Sequence, residues 1–176
     1  FSKTLAPGLR LGWAVAPVEV IDRLVMAKQG TDLQTSTFDQ MLAWEMLKTG
    51  FLDDHIKRIR EVYGERRNVM IAAMEKYFPA ECSWTKPQGG LFLWARTPAW
   101  IDTEALLAEA VAAKVAFVPG FAFYTDPQKG RNTMRLNFSN AQPEQIEEGI
   151  RRLGWLLQAK VAEQKKITSA PELVPA

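Results

Sequence analysis

The chain has 176 residues, of which 47% are hydrophobic and 24% charged, and its formal net charge is +2. This composition is typical of a globular protein and excludes a disordered chain, a collagen-like repeat and a strongly basic nucleic-acid-binding domain. The single cysteine, Cys82, excludes an intramolecular disulfide and fits a reducing compartment, so we expect a cytoplasmic protein. We expect no membrane association and no metal site.

The first part of the chain is predicted to be mainly helical from the spacing of its apolar residues. The predicted elements are a strand at 8–16 and helices at 18–28, 38–47 and 53–77. Gly50 is a typical C-terminal signal for the second helix, and Pro79 stops the third.

The second part is predicted to mix strands and helices. The predicted elements are a hairpin at 84–86 and 91–96, a helix at 103–114, strands at 115–118 and 133–138, and a helix at 143–158. The last helix begins at Pro143, with acids in its first turn and arginines later, an order that suits the helix dipole. Residues 159–176 are polar and contain proline, so we predict a disordered tail.

These elements predict helices followed by an α+β unit in which three or four strands are covered by helices. We expect the domain boundary inside the third helix. The predicted division is 1–50, 51–158 and the tail 159–176.

The opening FSKTLAPGLRLGW contains the most suggestive chemistry. A lysine that attacks a carbonyl must present a free amine in a fixed position, and Lys3 lies in a Ser-Lys-Thr turn. Ser2, the turn at Pro7 and Gly8, and Arg10 provide a hydroxyl, loop amides and a guanidinium, which together suit a phosphate. From these residues alone, a surface lysine and a strand-edge arginine remain the alternative.

Four ordered segments carry a resemblance to a known family. FSKTLAPGLRLGW resembles the pyridoxal-lysine segment of fold-type I aminotransferases of class I and II, especially the branch with 2-aminoadipate, aromatic and branched-chain aminotransferases. PQGGLFLW at 87–94 resembles that family's small-domain hairpin, and VAFVPGFAFY at 115–124 its strand and loop returning to the active site. NTMRLNFSN at 132–140 resembles its closing strand, and the whole likeness covers residues 1–158.

The resemblance implies an α/β fold, with the end of the large cofactor-binding domain followed by the small α+β domain. It implies that Lys3 is the catalytic lysine bound to pyridoxal 5'-phosphate, and that Ser2 and Arg10 contact the cofactor phosphate. Arg135 matches the arginine that binds the substrate α-carboxylate, where the alternative is an ion pair on the sheet. The implied protein is a homodimer acting on an amino acid and a 2-oxo acid.

The resemblance also implies that much of the active site precedes Phe1, so we expect the isolated chain to be inactive. Phe117, Phe121 and Phe123 flank a Pro-Gly loop and are candidates for a specificity pocket. The identity of the amino acid substrate is not predicted, because the family sets it largely in the preceding portion.

Two other functions stay open at this stage. A winged-helix transcriptional regulator with an aminotransferase-like sensor domain would keep the same lysine and arginine segments. An inactive fragment with a structural role would keep them too. The residues before Phe1 would discriminate best, since a basic winged-helix domain there would identify the regulator.

Overall fold

The computed structural model describes residues 1–126 and 128–169. Its contacts divide the chain into two compact units, Phe1–Glu61 and a second from Val62 onward. The division falls inside the long third helix, α3, which spans Phe51–Tyr77. The domain boundary predicted near residue 50 stays a prediction, because contacts within this chain do not define the domains of a longer protein.

The first unit is helical, as predicted. A short 3-10 turn at Pro7–Leu9 precedes α1, Val18–Thr31, and α2, Thr37–Lys48. The Ser36 side chain caps α2 by accepting a hydrogen bond from the Asp39 amide at 3.3 Å, the usual role of serine at that position. Gly50 has a φ of +72° between α2 and α3, a backbone conformation that glycine adopts without strain.

The strand predicted at 8–16 is wrong for this structure. Apart from the 3-10 turn, residues 8–16 have no regular structure and pair with no strand in the described part of the chain. A strand is stable only when a neighbouring strand satisfies its backbone groups, and an apolar alternating sequence does not supply that neighbour.

The second unit is built on a four-stranded antiparallel sheet in the order β1-β2-β4-β3. The strands are β1, Ser83–Trp84; β2, Phe92–Arg96; β3, Val118–Pro119; and β4, Thr133–Asn137. The predicted hairpin and final strand are confirmed. The strand predicted at 115–118 is wrong in its bounds, because only Val118 and Pro119 pair with β4.

One face of this sheet belongs to the core. Leu93 and Ala95 of β2 and Met134 and Leu136 of β4 are almost fully buried. They form one cluster with residues of α3, of α4 at Thr103–Ala112, and of α5 at Pro143–Ser169. Because side chains alternate along a strand, the residues between them lie on the opposite face. The predicted fold class, an α+β unit in which helices cover the sheet, is confirmed.

Helix α5 is much longer than predicted and ends at Ser169. The disordered tail predicted at 159–176 is therefore wrong for residues 159–169, while 170–176 lie outside the described residues. Val161 is buried, Lys160 pairs with Glu109 at 2.7 Å, and Lys165 pairs with Glu81 at 2.9 Å. These contacts with distant residues favour a helix in a segment whose polar composition indicated disorder.

Packing between α3 and α5 depends on one close approach. A Cβ atom added at Gly154 would lie 2.5 Å from the Tyr77 carbonyl oxygen, so only glycine fits there without a shift. The Gln158 side-chain amide donates to the same carbonyl at 2.8 Å. Among the described helices, none is both long and apolar enough to cross a membrane.

Candidate active site

Lys3 lies in a tight turn of the first unit. The amides of Thr4 and Leu5 both donate to the Phe1 carbonyl, at 3.2 and 2.8 Å, which closes a turn around Lys3. The lysine side chain is exposed, and its amine has no hydrogen-bond or ion-pair partner in the described part of the chain. The turn therefore leaves the Lys3 amino group accessible.

Ser2 and Arg10 are brought together beside that turn. The Arg10 guanidinium donates to the Ser2 hydroxyl at 3.5 Å and to the Pro7 carbonyl at 3.4 Å. The backbone of Arg10 has a φ of 53°, in the left-handed region that residues other than glycine seldom adopt. An unusual backbone conformation of this kind is a reason to examine Arg10 for a functional role.

The donor chemistry of this pair fits a phosphate. A hydroxyl and a guanidinium 3.5 Å apart can both donate to one oxyanion, and arginine binds phosphate with two parallel hydrogen bonds. Both side chains lie at the accessible surface of the first unit. The two predicted phosphate contacts, one adjacent to Lys3 in sequence and one seven residues after it, thus lie next to each other in space.

Arg135 lies in the second unit, on β4, one of the two inner strands of the sheet. Its register partners are Trp94 on β2 and Val118 on β3, so its side chain emerges on the sheet face that lies opposite the helical core. The side chain is half-buried, and its Nε is a buried donor without a partner among the described residues. Buried donors are nearly always paired, so this unpaired donor at a charged group is a candidate to bind an acceptor.

Aromatic rings surround Arg135. Its guanidinium carbon lies 4.1 Å from the ring centre of Phe92 and 4.7 Å from that of Phe123, within the range of cation–π attraction. Trp94 meets Phe123 edge to face, with ring centres 5.3 Å apart. The ion pair considered as an alternative role for Arg135 is not present with any described carboxylate.

The three phenylalanines predicted for a specificity pocket lie in different surroundings, and a pocket lined by Phe121 and Phe123 stays a prediction. Phe123 lies beside Arg135, Phe121 is half-buried, and Phe117 is wrong as a pocket residue because it belongs to the buried core. Sequence reasoning missed Phe92 and Trp94. Their alternate spacing in LFLW was visible. The register that sets Trp94 opposite Arg135 and Phe92 two residues away on the same face was not.

Gly120 fixes the segment that presents Phe123. This glycine begins a 3-10 turn, Gly120–Phe123, and a Cβ added there would lie 1.8 Å from the Thr133 hydroxyl oxygen. Thr133 is fully buried and donates to the Gly130 carbonyl at 2.7 Å, so it cannot move aside freely. The turn is therefore held against the start of β4.

Cys82 is not suited to nucleophilic chemistry. Burial, aided by the nearby Glu81 charge, raises the pKa of its thiol to about 11. Because the thiolate is the reactive form, this cysteine is inert at neutral pH.

Comparison with known proteins agrees with these features. The sequence model of the family "Aminotransferase class I and II" matches residues 1–153. Aromatic-amino-acid aminotransferase 1 of Thermococcus litoralis is 50% identical over 153 residues, which cover 87% of this chain and 36% of that protein. LysN, an alpha-aminoadipate aminotransferase of Thermus thermophilus crystallised with N-(5'-phosphopyridoxyl)-L-leucine, has 43% identity and a TM-score of 0.86. That match covers 93% of this chain and 41% of LysN.

This chain belongs to the class I and II aminotransferase family and has the fold of the C-terminal part of its fold-type I members. It spans about two fifths of the length of the relatives it matches.

A transcriptional regulator, the class considered above as an alternative, is also similar to this chain. The HTH-type transcriptional regulator YdfD of Bacillus subtilis is 32% identical over 156 residues, covering 89% of this chain and 32% of that protein. This identity is lower than that of the two aminotransferases.

Proposed function

We propose that the protein containing this chain is an aminotransferase that moves an amino group between an amino acid and a 2-oxo acid, with pyridoxal 5'-phosphate bound to Lys3. The observation that carries the proposal is Arg135, a half-buried guanidinium with an unpaired Nε on an inner strand of the sheet. Both proposed substrates carry a carboxylate, the acceptor that such a planar fork recognises with two parallel hydrogen bonds. A strand also holds the fork more rigidly than a loop would.

Ser2 and Arg10 would hold the cofactor phosphate. Their hydroxyl and guanidinium already converge to 3.5 Å, so an oxyanion can accept from both without a large rearrangement. When bound, pyridoxal phosphate supplies the reactive carbonyl and the electron-accepting ring.

Lys3 would act twice through its Nζ atom. It would hold the cofactor covalently. As a free amine it would take up and return the proton at the substrate Cα, as a positioned base and acid. Arg135, by binding the carboxylate, would restrict the orientation of the substrate Cα.

The relatives suggest substrate classes to test first. The names of the two compared aminotransferases refer to aromatic amino acids and to alpha-aminoadipate. We propose that the protein accepts a member of one of these classes as amino donor.

We further propose a cytoplasmic homodimer. The first unit exposes many large apolar side chains, including Trp13, Phe38 and Trp44, which a second copy or the rest of the protein could cover. A free, buried cysteine fits a reducing compartment. Light scattering of the full-length protein would give a dimer mass, and a monomer mass would contradict this part.

Steady-state kinetics of the full-length protein test the proposal. With L-phenylalanine or 2-aminoadipate as donor and 2-oxoglutarate as acceptor, the wild type should transaminate at least one donor. Lys3→Ala should abolish turnover because it removes the amine that would attach the cofactor and move the proton. Lys48→Ala, which removes a surface lysine paired with Glu45, is the matched control and should retain activity.

Arg135→Ala tests the carboxylate site separately. Removing a charge-assisted pair should lower kcat/KM by the equivalent of about 2–5 kcal/mol, with little change in cofactor content. Arg131→Ala is the control, because Arg131 lies just before β4 and pairs with Asp102 instead. If the wild-type protein transaminates neither donor but binds operator DNA, the proposed enzyme is wrong and the regulator is the better function.

A further inference from the structure

We infer that Phe92 and Phe123 are positioning residues that hold the Arg135 guanidinium in one orientation for the substrate carboxylate. The inference rests on the proposed function of Arg135. It adds two aromatic side chains that do not themselves have to touch the reacting atoms.

The two rings reach Arg135 from different parts of the sheet. Phe92 belongs to β2, on one side of β4, and Phe123 follows β3, on the other side. Their ring centres lie 4.1 and 4.7 Å from the guanidinium carbon. Two contacts from separate elements restrain a flexible side chain more than one contact does.

The contact between Phe123 and Trp94 supports the arrangement. Trp94 lies directly opposite Arg135 in the strand pairing, and its ring centre is 5.3 Å from that of Phe123 in an edge-to-face geometry. Phe123 is therefore fixed by a β2 residue as well as by its own turn. The ring stays beside the guanidinium instead of swinging away from β4.

The positive charge of Arg135 explains why aromatic contacts suit this side chain. A half-buried guanidinium has lost part of its hydration, and no described carboxylate pairs with it. Aromatic faces attract a cation without occupying its N–H donors. They can thus stabilise the charge and leave the fork, including the unpaired Nε, available to an incoming carboxylate.

Ring-removing substitutions in the full-length enzyme provide the test. Phe92→Leu and Phe123→Leu should each lower kcat/KM for L-phenylalanine and for 2-oxoglutarate by about twofold to thirtyfold, the range of one cation–π contact. We expect most of the change in KM, because substrate docking is impaired more than proton transfer. Phe92→Tyr and Phe123→Tyr keep the rings and should stay within about twofold of wild type.

A similar contact elsewhere gives the control. The Arg151 guanidinium carbon lies 3.8 Å from the Trp155 ring centre on α5, and Trp155 is exposed. Trp155→Leu removes an equivalent contact without touching Arg135, so kcat/KM should be unchanged. Thermal unfolding of all variants shows whether a kinetic loss accompanies a loss of fold.

The Arg135→Ala background separates positioning from a general structural role. If the rings act through Arg135, adding Phe92→Leu or Phe123→Leu there should lower kcat/KM no further. A further loss of kcat/KM in that background would overturn the inference. Leucine variants with wild-type kinetics would also overturn it, provided that Arg135→Ala itself strongly lowers kcat/KM. If Arg135→Ala itself has wild-type kinetics, the proposed carboxylate site fails first and the inference falls with it.

Discussion

The two units of this chain differ sharply in what they bury. The second unit contains nearly the whole core, with Met74, Leu93, Met134, Leu153 and Leu157 at 0% exposure. In Phe1–Glu61 only Leu11 and Ala43 are buried, while Trp13 and Val15 are 72% and 86% exposed. Burial of apolar surface is the main stabilising term of a fold. The second unit therefore has the means to fold from its own residues, and the first depends on a covering surface.

This difference has a functional meaning. The proposed cofactor contacts Ser2, Lys3 and Arg10 lie in the unit without a core, whereas Arg135 lies in the unit that has one. Cofactor binding should then depend on the rest of the protein far more than the carboxylate site does. The following predictions test that dependence, beginning with the largest expected effect.

The isolated 176-residue chain should neither retain pyridoxal phosphate nor transaminate. Its charged phosphate donor, Arg10, is exposed, and exposed charged contacts contribute only about 0–1 kcal/mol each. Titration with pyridoxal phosphate, gel filtration and an absorption spectrum would measure retention, with the full-length protein as control. If the isolated chain forms a stoichiometric, active yellow complex, cofactor binding does not depend on the rest of the protein as expected.

Truncating a core side chain should have a large effect only in the second unit. Leu153→Ala should reduce the free energy of unfolding by about 2–5 kcal/mol, because it leaves a cavity in a fully buried site. Leu24→Ala, on an exposed side chain of α1, is the matched change and should cost far less. Denaturant unfolding of the isolated chain would measure both, and similar losses would remove the distinction between the units.

Two glycines of α5 should respond in opposite directions to alanine. Gly154→Ala should destabilise by about 1–3 kcal/mol, because the new methyl group meets the Tyr77 backbone. A Cβ at Gly149 has 3.7 Å to its nearest neighbour, so Gly149→Ala should stabilise by up to about 1 kcal/mol. Melting temperatures of both variants provide the measurement, and a shift of the same sign would contradict the proposed close approach.

The smallest effect concerns an ion cluster on α5. Hydrogen bonds from Arg151, and then from Arg152, lower the pKa of the Glu148 carboxyl from 4.5 to about 2. Between these values the unfolded chain binds the proton more readily, so Glu148 stabilises the fold above pH 4.5 and this contribution is lost as the pH falls towards 2.

Urea unfolding between about pH 2 and 6 should therefore show a shallower acid loss for Glu148→Gln than for the wild type. Glu144→Gln, an acid in the first turn of the same helix, controls for the change of charge. Identical pH profiles for Glu148→Gln and the wild type would show that the cluster contributes nothing to the pH dependence of stability.

The sequence predicted the helices well because their signals are local. The apolar spacing in α1, α2 and α3 and Gly50 after α2 all act within a few residues. The errors arose where distant residues decide. Residues 8–16 lack a partner strand among the described residues, and residues 159–169 become helical through contacts such as Lys160 with Glu109.

The candidate site divides in the same way. Lys3, Ser2, Arg10 and Arg135 could be proposed from ordered motifs, because motif residues keep their spacing along the chain. Phe92 and Trp94 could not, because their position beside Arg135 follows from the β2–β4 register. Phe117 was misplaced because a phenylalanine beside a loop can point to the core or away from it with equal ease.

Covalent trapping tests the central assignment most directly. The full-length protein would be loaded with pyridoxal phosphate, reduced with borohydride, digested and mapped by mass spectrometry. We predict the reduced cofactor on Lys3 alone, with trapping lost in Lys3→Ala and retained in Lys48→Ala. Stoichiometric cofactor on another lysine would contradict the account.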